Sequence, residues 1–363
     1  MHERPQAALF QALRQLGYRI DSPNLRLPAL IHGAGARAAQ CTVSIEESSQ
    51  FASALLLGAK AGNWEVTVTG ENAEESPYVA MTRQLIATFP HQGGPIRVEP
   101  DASSGSYFLA AGTYEFVSAQ RFVIKGSTES GFVQSHQARL SVTVAHWPTS
   151  GWQMDAKFLE YLGGLLPFSG VLEAGSGKVV ETVVESFEAA GVSQLLSPAG
   201  SVTPGNPAPS DPSAPLVISR RTDLGDSIMT AITLAPLAEH PIAFTDLARL
   251  RVQECERVAA LRTELTKCAA RVVEDGDRLT VFPSADQLHG AEIETYNDHR
   301  MAMCFAILGL KIAGIKIKNP ACVKKTFPNF FQKLATPPPN GLGAEIRDAK
   351  TGRKLEVEEL FAD

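Results

Sequence analysis

The stretch TYNDHRMAMCFAILGL, residues 295–310, joins a polar cluster to an almost unbroken apolar run. Asn297 and Asp298 carry short side-chain oxygens, which accept hydrogen bonds from the free N–H groups at the start of a helix. The apolar run that follows is typical of a buried helix. We therefore predict a core helix over 299–311, with Asn297 or Asp298 as its N-cap.

Arg300 is an unexpected residue in the first turn of such a helix. The helix dipole is positive at this end, so a cation there costs roughly 0.3–1 kcal/mol. A bound carboxylate or phosphate would reverse that cost, because a guanidinium and free N–H groups together bind anions. An ion pair between Arg300 and a nearby Asp or Glu would also reverse it. The stretch alone leaves both explanations open.

Composition and charge restrict the class of protein. The 363 residues suffice for two domains, and 44% hydrophobic with 20% charged residues is ordinary for a soluble globular protein. The net charge of -6 argues against nucleic acid and anionic membranes as partners. The five cysteines are scattered, which argues against a metal site or a disulfide framework and favours a reducing compartment. We expect a cytoplasmic protein.

Segments of helical and strand periodicity alternate along the chain, which indicates an α/β or α+β fold. Strands are predicted at NWEVTVTG (63–70), RLTVFP (278–283) and GIKIKNP (314–320). Helices are predicted at 6–16, 48–62, 76–89, 101–112, 155–164, 227–238, 254–268, 299–311 and 325–335.

Three segments carry no predicted chemistry. Residues 197–215 are rich in Pro, Ser and Gly and are predicted to be a flexible loop. The tail 336–363 begins as a stiff proline-rich linker and could continue as a short hairpin or strand. GSGKV (175–179) resembles a phosphate-binding loop, but the required glycine at 172 and Ser or Thr at 179 are missing. A turn is the better interpretation there.

Other polar residues stand near predicted helix starts. Glu254 and Arg257 are three residues apart on the predicted helix 254–268 and would share a face. They could form a surface ion pair or place a general acid beside an anion clamp. Asp226 precedes the helix 227–238, where capping is the simpler explanation. If several such helix ends converge, they would hold a polyanion without a metal.

Seven stretches, in this order, resemble the landmarks of the 5-enolpyruvylshikimate-3-phosphate (EPSP) synthase family, also called 3-phosphoshikimate 1-carboxyvinyltransferases. They are ERPQAALFQALRQLG, SSQFASALLLGA, SPYVAMT, DASSGSYFLAA, RVQECERVAALRTEL, TYNDHRMAMCF and KTFPNFF. The resemblance is dense over 1–112 and 223–335. It implies transfer of the enolpyruvyl group of phosphoenolpyruvate to the 5-hydroxyl of shikimate 3-phosphate, with release of phosphate. This is a step of the shikimate pathway toward chorismate and the aromatic amino acids.

The resemblance also implies roles for individual residues. Asp226 would take the hydroxyl proton, and Glu254, assisted by Lys325, would protonate the enol methylene. The implied phosphoenolpyruvate ligands are Arg4, Gln50, Arg257, His299, Arg300 and Lys325. The implied shikimate 3-phosphate ligands are Ser48, Ser49, Gln50, Tyr78, Asp226 and Gln253. No cofactor and no metal are implied, and we expect a monomer.

The fold implied by the resemblance is a two-domain enolpyruvyl transferase fold of repeated βαβαββ units. Residues 1–98 would be an incomplete first domain, because the family's opening Lys-Ser pair and its Gly-Asn-Ala-Gly-Thr loop are not found. Residues 99–335 would be the second domain with a variable insert at 113–222, and 336–363 the tail.

Three departures fall on the shikimate phosphate side of the implied site. Glu75 stands where the family has serine, Gln253 where it has lysine and Arg249 where it has asparagine. A carboxylate facing a phosphate is repulsive. Two alternatives to an active enzyme therefore stay open. One is a catalytically impaired or non-catalytic relative that keeps anion binding, and the other is a half that needs a complementing segment.

Overall fold

The computed structural model describes residues 6–33, 35–46, 48–70, 72, 75–112, 144–165 and 215–362. Arg4, the predicted turn at 175–179 and residues 197–214 of the predicted flexible loop lie outside the described residues. The chain divides into two compact units. The first unit comprises Met1–Val98 and Ser150–Met154, and the second comprises Glu99–Thr149 and Asp155–Asp363.

The described residues of the first unit form two small two-stranded sheets and three helices. Strands β1 and β2 pair antiparallel, while β3 and β4 pair parallel. Apolar side chains of α1, β3 and α2, among them Ala12, Val43 and Leu55, form its buried core. The elements are α1 (Ala7–Gln15), β1 (Arg19–Asp21), β2 (Leu30–His32), β3 (Ala39–Ser44), α2 (Ser49–Gly62), β4 (Trp64–Thr69) and α3 (Ser76–Thr88).

The parallel pair β3 and β4 sets the direction of the helices that follow. Each strand is followed by a helix, and parallel strands end at the same edge of a sheet. The N-termini of α2 and α3 therefore lie at that common edge. Ser48 caps α2 with its side chain, which accepts the N–H of Gln50.

The second unit is built around a four-stranded sheet in the order β5-β6-β8-β7, in which β5 and β6 are parallel and the other pairs antiparallel. A separate parallel pair joins β9 and β10. The elements are α4 (Ala102–Gly112), α5 (Phe158–Leu165), β5 (Leu216–Ser219), α6 (Ile228–Leu234), β6 (Ile242–Thr245), α7 (Ala248–Arg251), α8 (Arg257–Lys267), β7 (Arg271–Asp275), β8 (Arg278–Phe282), β9 (Glu292–Ile293), α9 (His299–Lys311), β10 (Lys316–Ile317) and α10 (Phe330–Ala335).

Helix α9 is the predicted core helix, and the structure confirms its position. It spans His299–Lys311, and Asp298 is its N-cap with a side chain that accepts the N–H of Arg300. Its buried side chains, including Met301 and Phe305, belong to the large core of the second unit. It packs against α4, α6 and the 3-10 helix Pro320–Lys325.

Two predicted helix starts are wrong. Helix α8 begins at Arg257 instead of residue 254, because the side chain of Glu256 accepts the N–H of Ala259 and caps the helix there. Glu254 therefore lies in the preceding loop and shares no helix face with Arg257. The predicted helix 325–335 divides into a 3-10 helix that ends at Lys325 and the short α10, so Lys325 ends one element instead of starting another.

The C-terminal tail packs on the second unit instead of forming the predicted linker. Leu342, Leu360 and Ala362 are buried in the large core cluster, since a few spaced apolar residues suffice to hold the segment there. An isolated antiparallel bridge joins Arg347 to Lys354, in keeping with the predicted short hairpin. The strand predicted at 314–320 is reduced to Lys316–Ile317.

Within the part of the chain that the structure describes, no helix has the length and apolar character needed to cross a membrane.

Candidate active site

The residues singled out from the sequence fall into two groups, one in each unit. The first unit holds Ser48, Ser49, Gln50 and Tyr78. The second holds Asp226, Gln253, Glu254, Arg257, His299, Arg300 and Lys325.

Asp298 does more than cap α9. Its carboxylate is fully buried and accepts two hydrogen bonds from Arg257, at 2.7 Å from Nε and 3.3 Å from Nη2. The same group accepts the backbone N–H of Arg300 at 2.8 Å. Burial alone would raise the pKa of Asp298, but the hydrogen bonds and charge of Arg257 outweigh it and lower the pKa. Asp298 is therefore an ionised anchor for Arg257.

Asp226 lies among three guanidinium groups. Its carboxylate accepts a hydrogen bond from Nη2 of Arg220 at 2.9 Å, and it pairs with Nη2 of Arg300 at 3.1 Å. Nη1 of Arg257 lies 3.9 Å from the carboxylate. The side chains of Arg220 and Arg257 are 5% and 3% exposed, so these charges face one another with little water between them.

This arrangement fixes the ionisation of Asp226. Burial alone would raise its pKa, yet Arg300, Arg220 and Arg257 together lower it far below the ordinary value. The carboxylate is thus ionised at neutral pH and holds the three cations together. Capping, the simpler explanation of Asp226, is wrong, because Ser227 occupies the N-cap position of α6 and the Asp226 carboxylate bonds to arginine instead.

The contact with Asp226 also bears on the open question about Arg300. The positive charge of the Arg300 guanidinium is compensated by the Asp226 carboxylate in the same unit, as the ion-pair explanation requires. Its Nη1 additionally donates to the hydroxyl of Tyr107 at 3.5 Å. Burial would lower the pKa of Arg300, and Asp226 raises it instead, so the guanidinium stays charged.

We call the side chains of Arg220, Arg257, Arg300, Asp226 and Asp298 the arginine–aspartate cluster. These five side chains carry three positive and two negative charges, and the carboxylates of Asp155 and Asp101 also act on Arg300. Most of the five side chains are nearly buried, so their charges are only weakly screened. An anion that reaches the cluster gains charge-assisted hydrogen bonds without having to displace bulk solvent from every donor.

Two further polar contacts join residues that the sequence singled out. Nζ of Lys325 donates to a carboxylate oxygen of Glu254, so the predicted acid and its predicted assistant are in direct contact. Nη1 of Arg257 donates to the side-chain carbonyl of Gln253. Gln253, one of the three departures, therefore helps to orient an arginine of the cluster.

His299 lies beside the cluster and is 6% exposed. Its burial, together with the charge of Arg300, lowers its pKa to about 4. The imidazole is therefore neutral at pH 7, and it offers a ring N–H or lone pair without adding a fourth positive charge.

In the first unit, Ser48 and Ser49 stand at the start of α2 and Tyr78 lies in the first turn of α3. Tyr78 is 40% exposed, whereas Ser49 is 3% exposed. The backbone N–H of Ser49 donates to Oε2 of Glu75 at 2.7 Å. Glu75, predicted to repel a phosphate, is thus bonded to the start of the very helix that carries Ser48 and Ser49.

Sequence reasoning missed two residues of this site. Arg220 follows β5 and lies six positions before Asp226; the Arg220–Arg221 pair directly after that short strand was its only signal. Tyr107 is hidden in the apolar face of α4 and gave no signal at all. Among the described residues, no three His, Cys, Asp or Glu side chains are grouped as a metal site would require.

Comparisons with known proteins identify the family of this chain. The sequence model described as EPSP synthase (3-phosphoshikimate 1-carboxyvinyltransferase) matches residues 1–92 and 219–334. A 3-phosphoshikimate 1-carboxyvinyltransferase of Opitutus terrae is 30% identical, with the alignment covering 93% of this chain and 69% of the relative. One from Shewanella baltica is 32% identical, over 93% of this chain and 71% of the relative.

A solved structure shows the same fold. The EPSP synthase of Acinetobacter baumannii superposes with a TM-score of 0.53 at 18% identity, covering 92% of this chain and 70% of that one. The fold is thus the α/β fold of the enolpyruvyl transferases, as the sequence predicts. Within that class, this chain belongs to the EPSP synthase family. It spans about 70% of the length of the relatives that it matches.

Proposed function

We propose that this protein is a transferase that moves the enolpyruvyl group of phosphoenolpyruvate to the 5-hydroxyl of shikimate 3-phosphate and releases inorganic phosphate. The observation that carries the proposal is the arginine–aspartate cluster, which places three guanidinium groups around ionised carboxylates at the start of α9. Membership of the EPSP synthase family supplies the reaction.

Phosphoenolpyruvate carries a phosphate and a carboxylate, and both need cations. In the second unit, Arg257, Arg300 and Lys325 are the proposed donors, with His299 beside them as a neutral hydrogen-bonding group. Arg4 and Gln50 complete the proposed set. Asp298 keeps Arg257 in place, so the guanidinium is already oriented before the anion arrives.

The acceptor hydroxyl must lose a proton as its oxygen attacks C2 of the enol, and Asp226 is the proposed base. In the structure this carboxylate is held by three guanidinium groups, which weaken it as a base. An anionic substrate that pairs with Arg300 would weaken the ion pair between Arg300 and Asp226. Substrate binding would thereby raise the basicity of Asp226 when it is needed.

The enol methylene must gain a proton in the addition step and lose one when phosphate leaves. Glu254 is the proposed donor, and its contact with Lys325 lets the ammonium group resupply the proton. The net reaction forms one C–O bond to the acceptor, breaks the C–O bond to phosphate and restores the double bond. No cofactor and no metal take part in this proposal.

The proposed ligands of shikimate 3-phosphate are, in the first unit, Ser48, Ser49, Gln50 and Tyr78, and in the second, Asp226 and Gln253. Ser48 and Ser49 belong to the start of α2, where N–H groups favour an anion. We further infer that the protein is a monomer. We also infer that it acts in the cytoplasm, because its five free cysteines are in keeping with a reducing compartment.

The test is phosphate release by the purified chain supplied with phosphoenolpyruvate and shikimate 3-phosphate, with each substrate omitted in turn. The proposal expects release only when both are present. Binding of phosphoenolpyruvate without any turnover would instead favour the second candidate function, an anion-binding relative without catalysis. The weakened basicity of Asp226 is the observation that favours this second candidate.

A further inference from the structure

The first unit contains a carboxylate to which the proposed function gives no role. Oε2 of Glu75 accepts the backbone N–H of Ser49, the first residue of α2, at 2.7 Å. Glu75 is 5% exposed, so its carboxylate is enclosed by the fold instead of solvated. The start of a helix favours an anion, and here the protein supplies one of its own.

The loop that carries Glu75 is fixed by several hydrogen bonds. The side chain of Asn72 donates to the carbonyl of Glu46 at 3.0 Å and accepts the N–H of Glu75 at 3.3 Å. The hydroxyl of Ser76 donates to the carbonyl of Asn72 at 2.8 Å. These bonds tie the segment after β4 to the segment after β3, and they hold Glu75 against the start of α2.

We infer that Glu75 determines acceptor specificity by occupying the anion position at the start of α2. The inference rests on the proposed function, because it takes Ser48 and Ser49 as ligands of the acceptor's phosphate. A phosphate there would compete with Glu75 for the N–H of Ser49 and would meet a second negative charge at short range.

A hydroxyl group at the same place is not repelled by the Glu75 carboxylate. It carries no charge, and it can donate a hydrogen bond to the Glu75 carboxylate. Glu75 therefore lowers the preference of the site for a phosphorylated ring over the same polyol without the phosphate. The relevant probes are shikimate 3-phosphate and shikimate, which differ only in that group.

The experiment measures the affinity of the full chain for each probe by calorimetry, without phosphoenolpyruvate, in the wild type and in Glu75→Ser. The substitution is expected to raise the preference for shikimate 3-phosphate over shikimate by about 10- to 100-fold, the value of a charge-assisted hydrogen bond. Glu75→Gln keeps an acceptor for the N–H of Ser49 but removes the charge, so it protects the fold and is expected to shift the preference in the same direction.

Glu65→Gln is the matched control, because Glu65 is an exposed carboxylate at the opposite end of β4 and its loss changes net charge equally. It is expected to leave the preference unchanged. An unchanged preference in both folded Glu75 variants would overturn the inference, as would equal shifts in Glu65→Gln. Binding of the two probes is measured without phosphoenolpyruvate, so it does not depend on catalysis. A chain that binds both probes but never releases phosphate would contradict the proposed function and leave the inference about Glu75 intact.

Discussion

Arg257 and Asp298 form a buried ion pair at the start of α9. The Nε–Oδ2 distance is 2.7 Å, and the two side chains are 3% and 0% exposed. This pair joins the first residue of α8 to the cap of α9, and so it fixes the mutual placement of two elements that carry the arginine–aspartate cluster.

Loss of Asp298 should destabilise the protein strongly. Asp298→Ala leaves the charge of Arg257 buried without its main partner and also removes the cap of α9, which together should lower the free energy of unfolding by about 3–5 kcal/mol. Urea denaturation monitored by circular dichroism measures this. Asp286→Ala, which removes an exposed carboxylate from the same unit, should change stability by no more than about 0.5 kcal/mol. Equal stability of the two variants would show that the buried pair contributes nothing.

His299 should make stability depend on pH in a defined window. Its pKa is about 4 in the folded protein and about 6.5 in an unfolded chain, so the unfolded state binds more protons between these values. Stability should therefore fall as pH drops from 6.5 to 4, by about 3 kcal/mol in total. The lowered pKa of Asp298 contributes mainly below this window, because the ordinary pKa of its carboxyl group is 3.8.

The measurement is the free energy of unfolding at several pH values between 4 and 7. His299→Gln should flatten the dependence, whereas His240→Gln, at an exposed position, should keep it. A wild-type slope that persists in His299→Gln would assign the dependence to other groups.

Arg300 should contribute directly to phosphoenolpyruvate binding. Arg300→Ala removes a charged donor, and the dissociation constant should rise by about 10- to 100-fold. Arg262→Ala is the matched control, because Arg262 is 47% exposed and pairs with Glu274 on the surface. Affinity equal to that of the wild type would mean that Arg300 serves only as the ion-pair partner of Asp226.

Arg220 should act as a positioning residue for Asp226. Arg220→Met removes one of three guanidinium groups, so the pKa of Asp226 should rise by about one unit or more. Because Asp226 stays ionised throughout the pH range of the folded chain, the measurement is kcat at pH 7. It should change in Arg220→Met while the KM of phosphoenolpyruvate is kept, and Arg220→Lys should stay near the wild-type kcat. A wild-type kcat in Arg220→Met would remove Arg220 from this role.

Local patterns predicted the parts of the site that depend on neighbours in the chain. The cap at Asp298 and the core helix after it follow from short-range rules. The start of α8 did not, because apolar periodicity continues back toward residue 254 while the side chain of Glu256 sets the true boundary. Long-range contacts left no local trace: Glu75 and Ser49 are 26 positions apart, and Arg257 and Asp298 are 41 apart.

The resemblance to a family located candidate residues but not their partners. It pointed to Asp226 and Arg300 separately, and the structure adds that they bind each other and that Arg220 joins them. Arg220 is absent from the motifs, so neither spacing nor resemblance could reveal it. The catalytic and binding roles of the individual residues, Arg4 included, stay predictions, and so does the domain boundary at residue 98.

Enolpyruvyl transfer couples phosphate release to consumption of the acceptor, and phosphorus NMR of one reaction mixture measures both. Phosphoenolpyruvate and shikimate 3-phosphate are incubated with the purified chain, and both substrate signals are followed with the signal of inorganic phosphate. One phosphate should appear for each phosphoenolpyruvate and acceptor consumed, and Asp226→Asn should abolish this coupled loss. Phosphate that appears without consumption of the acceptor, or no phosphate at all, would contradict enolpyruvyl transfer.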